Sequence, residues 1–203
     1  LLRERYRLLD AGAALGYGCG PLLVSRDGMP DLRGKRIAIP GIHTTAHLLL
    51  QLWHSGIGGV VATTFDRILD GVAAGEYDAG LIIHEGRFVY QRYGLKKIVD
   101  LGESWEEETG LPIPLGCIAA SRALPEEDIR VIEDALRASV RYGLANREAS
   151  REFIRAHAQE MEDGVIEEHI NLYVNDFSVT LGERGRRAIA VLEDRARKRG
   201  IIG

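Results

Sequence analysis

The most chemically suggestive stretch of this sequence is Gly80-Leu81-Ile82-Ile83-His84-Glu85-Gly86-Arg87-Phe88. An apolar run of strand character leads straight into a histidine. In open α/β sheets ligands gather at the carboxyl ends of strands. An imidazole there titrates near neutral pH and is suited to moving a proton. Glu85 or Arg87 is placed to orient such an imidazole or to bind an acidic ligand. A lone histidine at a strand end is more often a structural residue.

A second segment, Pro40-Gly41-Ile42-His43-Thr44-Thr45-Ala46, follows one strand pattern and opens a helix. The first turn of a helix carries unpaired N–H groups and the positive end of the dipole, which together bind carboxylates. Thr44 or Thr45 can add a hydroxyl donor, and Gly41 lets a ligand approach the backbone. The competing reading is a plain Thr-capped helix start, with His43 a loop residue.

Other segments are less specific. Leu111-Pro112-Ile113-Pro114-Leu115-Gly116 is stiffened by its prolines. It suits a cleft wall beside a planar ligand, or a connector. Gly16-Tyr17-Gly18-Cys19-Gly20-Pro21 lacks the Lys-Ser/Thr of a phosphate loop and is expected to lie as backbone near the cleft. Asn175-Asp176-Phe177-Ser178 is expected to be a turn, with Asn175 reaching the cleft. His47, His54, His157 and His169 are scattered over helical patterns and are expected at the surface or partly buried. There is no zinc-type spacing, no serine nucleophile elbow and no dinucleotide fingerprint. Cys19 and Cys117 read as two buried thiols in a reducing compartment. Neither a metal nor a cofactor is expected.

The elements that must position these residues alternate. Strands are expected at 22–25, 36–39, 60–64, 79–83, 98–101 and 117–120, suggesting a parallel-type α/β sheet. Helices are expected at 44–54 and from Asp66, as N-cap, through Ala74. A turn is expected at Asp27-Gly28-Met29-Pro30, a short helix after His84, and a polar helical turn over 103–109. From Leu124 onward the pattern is helical, with an apolar face of Ile129, Ile132, Leu136 and Val140 in the first of these helices. Further helices are expected near 148–158, 163–173 and 182–199. Two lobes are expected: a contiguous central one over 27–116, and one built from 1–26 and 117–203. The chain would cross between them near Val24 and Ile118.

The bulk numbers exclude other classes. The chain has 203 residues and a net charge of -4, which gives no broad basic surface for nucleic acid. Its apolar runs are too short to span a membrane. It begins at Leu1 without an initiator Met or a leader pattern, so an N-terminal segment is expected to be absent.

His43-Thr44-Thr45-Ala46, Ala79 to Glu85 with Arg87-Phe88, Tyr93-Gly94-Leu95 with Val99-Asp100-Leu101-Gly102, Trp105-Glu106, Thr109 to Gly116, and Tyr173-Val174-Asn175 with Phe177-Ser178 resemble the 1,4-dihydroxy-6-naphthoate synthases. The resemblance covers essentially the whole chain. It implies a two-lobed α/β fold like the type 2 periplasmic binding proteins. It also implies a cytoplasmic lyase of the futalosine route to menaquinone, converting cyclic dehypoxanthinyl futalosine to 1,4-dihydroxy-6-naphthoate. His84 matches the family's catalytic base, and Thr45 and Ala46 its substrate contacts. Thr44, Arg87, Pro114 and Asn175 complete the expected substrate-binding set. The partner is a small anionic substrate bearing a carboxylate and a ring. Family members usually begin with a Ser-Pro-Cys-Pro-Asn-Asp-type and a Lys-Leu-Ser-type motif, and neither is present. The alternatives are a non-catalytic solute-binding protein of the same fold and the related chorismate dehydratase.

Overall fold

A computed structural model describes residues 4–28, 31–54, 56–57, 59–158 and 162–203. Leu1 to Arg3, and Met29 and Pro30 of the expected turn, lie outside the described residues.

In chain order the elements are β1 (Tyr6–Leu8), β2 (Ala14–Gly16), β3 (Leu22–Ser25), β4 (Arg36–Ile39), α1 (Thr45–Trp53), β5 (Gly59–Ala62), α2 (Phe65–Ala74), β6 (Ala79–Ile82), α3 (Gly86–Val89), β7 (Lys96–Asp100), α4 (Leu101–Thr109), β8 (Ile113–Gly116), β9 (Ala119–Ser121), α5 (Glu126–Ala145), α6 (Arg151–His157), α7 (Asp163–Tyr173), α8 (Asp176–Val179) and α9 (Gly182–Lys198). The helix expected to be capped by Asp66 starts two residues earlier, at Phe65. Thr64 holds the extended cap position and Asp66 sits in the first turn, where a carboxylate favours the dipole.

The main sheet has five strands in the order β5-β4-β6-β3-β7. β4 runs parallel to β5 and β6, but β3 is antiparallel to both β6 and β7. The sheet is therefore mixed rather than parallel. Val24 is not a crossing point either. Leu22, Leu23, Val24 and Ser25 are all buried and paired on both sides, so this strand is an interior strand of the central sheet. The 111–116 segment is not irregular: β8 pairs antiparallel with β2, setting Leu15 opposite Pro114. A two-stranded sheet is all edge, and there a proline costs no ladder hydrogen bond. β1 and β9 pair in the same way just beyond. The turn expected at 175–178 is a capped helical turn, because Asn175 accepts from the Phe177 N–H and Ser178 from the Asn175 N–H.

The core joins the sheet to the C-terminal helix. Leu23, Ile37, Ile39, Leu50, Leu81, Leu101, Trp105 and Ile113 pack with Leu192 of α9. The Trp105 indole donates to the Pro112 carbonyl at 3.1 Å, fixing the approach to β8.

Candidate active site

Strand order decides what meets. β4 and β6 are parallel neighbours, so the segments leaving them, 40–44 and 83–85, emerge side by side at one edge of the sheet. β3 is antiparallel, with Leu22 opposite Ile82 and Asp100, so Cys19, Gly20 and Pro21 arrive at the same edge. These segments, with Leu115 and Gly116 of β8, bound a cavity of about 540 Å³. Its walls include Ala14, Pro21 and Ile83, and its polar groups come from His43, Thr44, Thr45, His84, His169 and Tyr173.

His84 is the single non-glycine residue with positive φ among the described residues, at 55°. The chain leaves a fully buried strand and must turn within three residues to begin α3. A left-handed residue with a side chain costs on the order of 1–3 kcal/mol, and such strain collects at functional sites. Its ring meets the edge of Phe65 at 5.2 Å between centroids and faces His169 at 6.0 Å. It forms no side-chain hydrogen bond among the described residues.

The helix start is open to an anion, though not through the threonine hydroxyls. Thr44 caps α1 by accepting from the His47 N–H at 3.2 Å, and its own proton goes to the Gly41 carbonyl at 2.8 Å. The Thr45 hydroxyl donates to the Leu115 carbonyl at 2.9 Å. The expected hydroxyl donors are thus spent inside the protein, because both lie within reach of carbonyls that need a partner. The Thr45 and Ala46 N–H groups remain, and no acidic residue stands in the first turn to compete with a ligand.

Three expected substrate contacts are absent from the cavity lining. Arg87 turns beneath the sheet edge, donating to the Gly20 carbonyl at 2.7 Å and to Asp100 at 3.0 Å. The buried carboxylate claims it. Glu85 faces His169 rather than His84, with Oε2 at 4.0 Å from Nδ1. Pro114 is taken up by the β2–β8 pair, and Asn175 by the Leu15 carbonyl at 2.8 Å and the α8 cap.

Cys19, from the segment expected near the cleft, lines the cavity, as do two residues the sequence does not point to, His169 and Tyr173. Burial pushes the Cys19 thiol up to about 12, and so leaves it unreactive. Burial also raises the Tyr173 hydroxyl to about 12, against the Arg87 guanidinium beside it. His169 is lowered, first by burial, then by His84, with Glu85 opposing. His169 and Tyr173 stand four apart on α7, hence on one face. That spacing was the available signal. The same two residues and His84 also line a second chamber of about 420 Å³, walled by Phe65, Phe153 and Ile166.

The chain is thus an α/β protein with a cavity where the parallel strands β4 and β6 end. Solved structures carry the same architecture. A protein from Archaeoglobus fulgidus is 37% identical, with a TM-score of 0.94 over 99% of this chain and 75% of that one. A Candida albicans protein described as having the generic periplasmic binding protein fold is 15% identical, with a TM-score of 0.62 over 98% of this chain and 68% of its own. The ligand-binding component of a Staphylococcus aureus ABC-type import system is 10% identical, with a TM-score of 0.64 over 98% of this chain and 68% of that one. The last two share the fold alone.

The profile of the menaquinone biosynthesis family matches residues 1–198, and the chain belongs to that family. A 1,4-dihydroxy-6-naphthoate synthase from Thermus thermophilus is 52% identical over 98% of this chain and 73% of its own length. The Streptomyces coelicolor enzyme of the same name is 48% identical over 98% of this chain and 72% of its own. Among the described residues no helix is long and apolar enough to cross a membrane.

Proposed function

We propose that this chain performs the 1,4-dihydroxy-6-naphthoate synthase reaction as a carbon–carbon lyase on cyclic dehypoxanthinyl futalosine, with His84 as general base, in the cytoplasm. The observation that carries the reading is His84, held at positive φ and lining one cavity with the open N–H groups of Thr45 and Ala46. The substrate carboxylate sits at the helix start, where dipole and N–H groups favour it. The apolar walls take the ring. His84 removes the proton that starts the elimination, and breaking the carbon–carbon bond lets the ring go on to become aromatic. Closing the chain-end lobe over the central lobe would exclude water from that step.

A His84→Asn variant of the full chain should lose about 10²–10⁴-fold in kcat, the usual contribution of a general base. The assay follows naphthoate formation. Near-normal turnover in that variant removes His84 from the role. Substrate binding without any product from the wild type would favour a solute-binding protein instead.

A further inference from the structure

The two rings that face each other in the cavity are not equivalent. His84 has ring contacts but no hydrogen bond or ion pair from its side chain among the described residues, whereas His169 has a carboxylate at its Nδ1 side. At 4.0 Å the Glu85–His169 contact is electrostatic rather than a hydrogen bond, but it still favours the tautomer with the proton on Nδ1. Nε2 then carries a lone pair, and it has no protein partner among the described residues. A carboxylate behind one imidazole nitrogen with the other left open is the arrangement that prepares a histidine as a base. The α7 helix brings this group into the same cavity, its ring tilted 57° to that of His84 with the centroids 6.0 Å apart, so the two imidazoles stand side by side on one wall.

We propose that His169 is a second catalytic base of this site, taking a substrate proton on Nε2, with Glu85 as its positioning residue. The inference rests on the naphthoate synthase reading. Forming an aromatic hydroxyl from a ring ketone requires a proton to move from carbon to oxygen. His169 takes the ring C–H proton. The C–H electron pair becomes the new ring π bond, the carbonyl π pair moves onto oxygen, and the same proton is returned to that oxygen. Atoms and electrons are conserved, and nothing is oxidised. Burial keeps His169 in the neutral form this needs, by lowering its pKa. The ionisable groups around it are His84 and Glu85 from the turn after β6, Tyr173 from its own helix, and His157 across the second chamber.

The test uses the full chain with cyclic dehypoxanthinyl futalosine, measuring kcat and KM separately, and calorimetric binding of the naphthoate product as a check on the cavity. His169→Gln should bind product within threefold of wild type and lose at least a hundredfold in kcat, with KM little changed. Glu85→Gln should lose about tenfold and move the acid limb of kcat/KM to lower pH, since the carboxylate that raises the His169 pKa is gone. If the wild type makes naphthoate and His169→Gln turns over within threefold of it, the inference falls and the function reading stands. Should His169→Gln fail to fold, an unshifted acid limb in Glu85→Gln overturns the inference by itself. A wild type that makes no naphthoate overturns both.

Discussion

Replacing Arg87 by Met separates a structural from a ligand-binding arginine. In the structure its guanidinium holds Asp100 at 3.0 Å, with the two side chains 14% and 2% exposed. It also donates to the Gly20 carbonyl at 2.7 Å. Removing one partner of a buried pair costs about 3–5 kcal/mol, because the other charge is left without compensation. Here the lower end applies, since Asp100 still accepts from the Gly102 and Glu103 N–H groups at 2.8 and 3.2 Å. For a chain of this size, about 3 kcal/mol corresponds to a fall of about 6–12 °C in Tm. Asp100→Asn keeps the helix cap and removes the charge. The Arg87→Met/Asp100→Asn double variant should therefore be more stable than the sum of the single losses predicts, by about 1.5 kcal/mol or more. Thermal denaturation of the four proteins, with calorimetric binding of naphthoate product, is the assay. Product affinity should stay within about threefold of wild type, under 1 kcal/mol. A Tm within two degrees of wild type together with lost binding would refute the reasoning and return Arg87 to the substrate.

Three further outcomes follow from other contacts. Gly20→Ala should be strongly destabilising in urea melts and should disturb the Cys19–Pro21 wall of the cavity, because a Cβ there would stand 2.3 Å from the Gly102 backbone, which cannot yield as a side chain does. Glu106→Gln should raise stability at pH 7: burial lifts the Glu106 carboxyl against the Gly18 N–H, so its ionised form opposes folding above its ordinary value of 4.5. That advantage should close as pH falls below 4.5, and denaturation at pH 7 and pH 3 checks the sign. Iodoacetamide at pH 8 should modify exposed Cys117 and spare Cys19 in the folded protein, with peptide mass spectrometry as the readout.

Much of the architecture was legible because periodicity and punctuation are local. Pro40-Gly41 and Thr44 mark the start of α1, and the apolar run 79–83 marks β6. Strand order is not local, and no pattern in Leu22-Leu23-Val24-Ser25 says that it enters between β6 and β7. The site was legible to the same extent. Thr44–Ala46 and His84 were found as separate segments, and the parallel β4–β6 pairing explains why they share a cavity. Arg87 lies outside the cavity lining because its side chain answers to Asp100, thirteen residues on, although its sequence neighbours are at the site. His169 was passed over because α7 is buried on one face only, and the sequence does not say which neighbour covers it.

The antiparallel position of β3 also bears on how the molecule is made. Its four buried residues need β6 on one side and β7 on the other, and the second partner lies roughly 75 residues downstream. At ordinary translation rates of about 5–20 residues per second, that is on the order of 4–15 s in which Leu22-Leu23-Val24 has no finished sheet to enter. The ribosome delivers this interior strand before either of its two neighbours. This tripeptide is therefore one place where a nascent chain would need shielding from its neighbours.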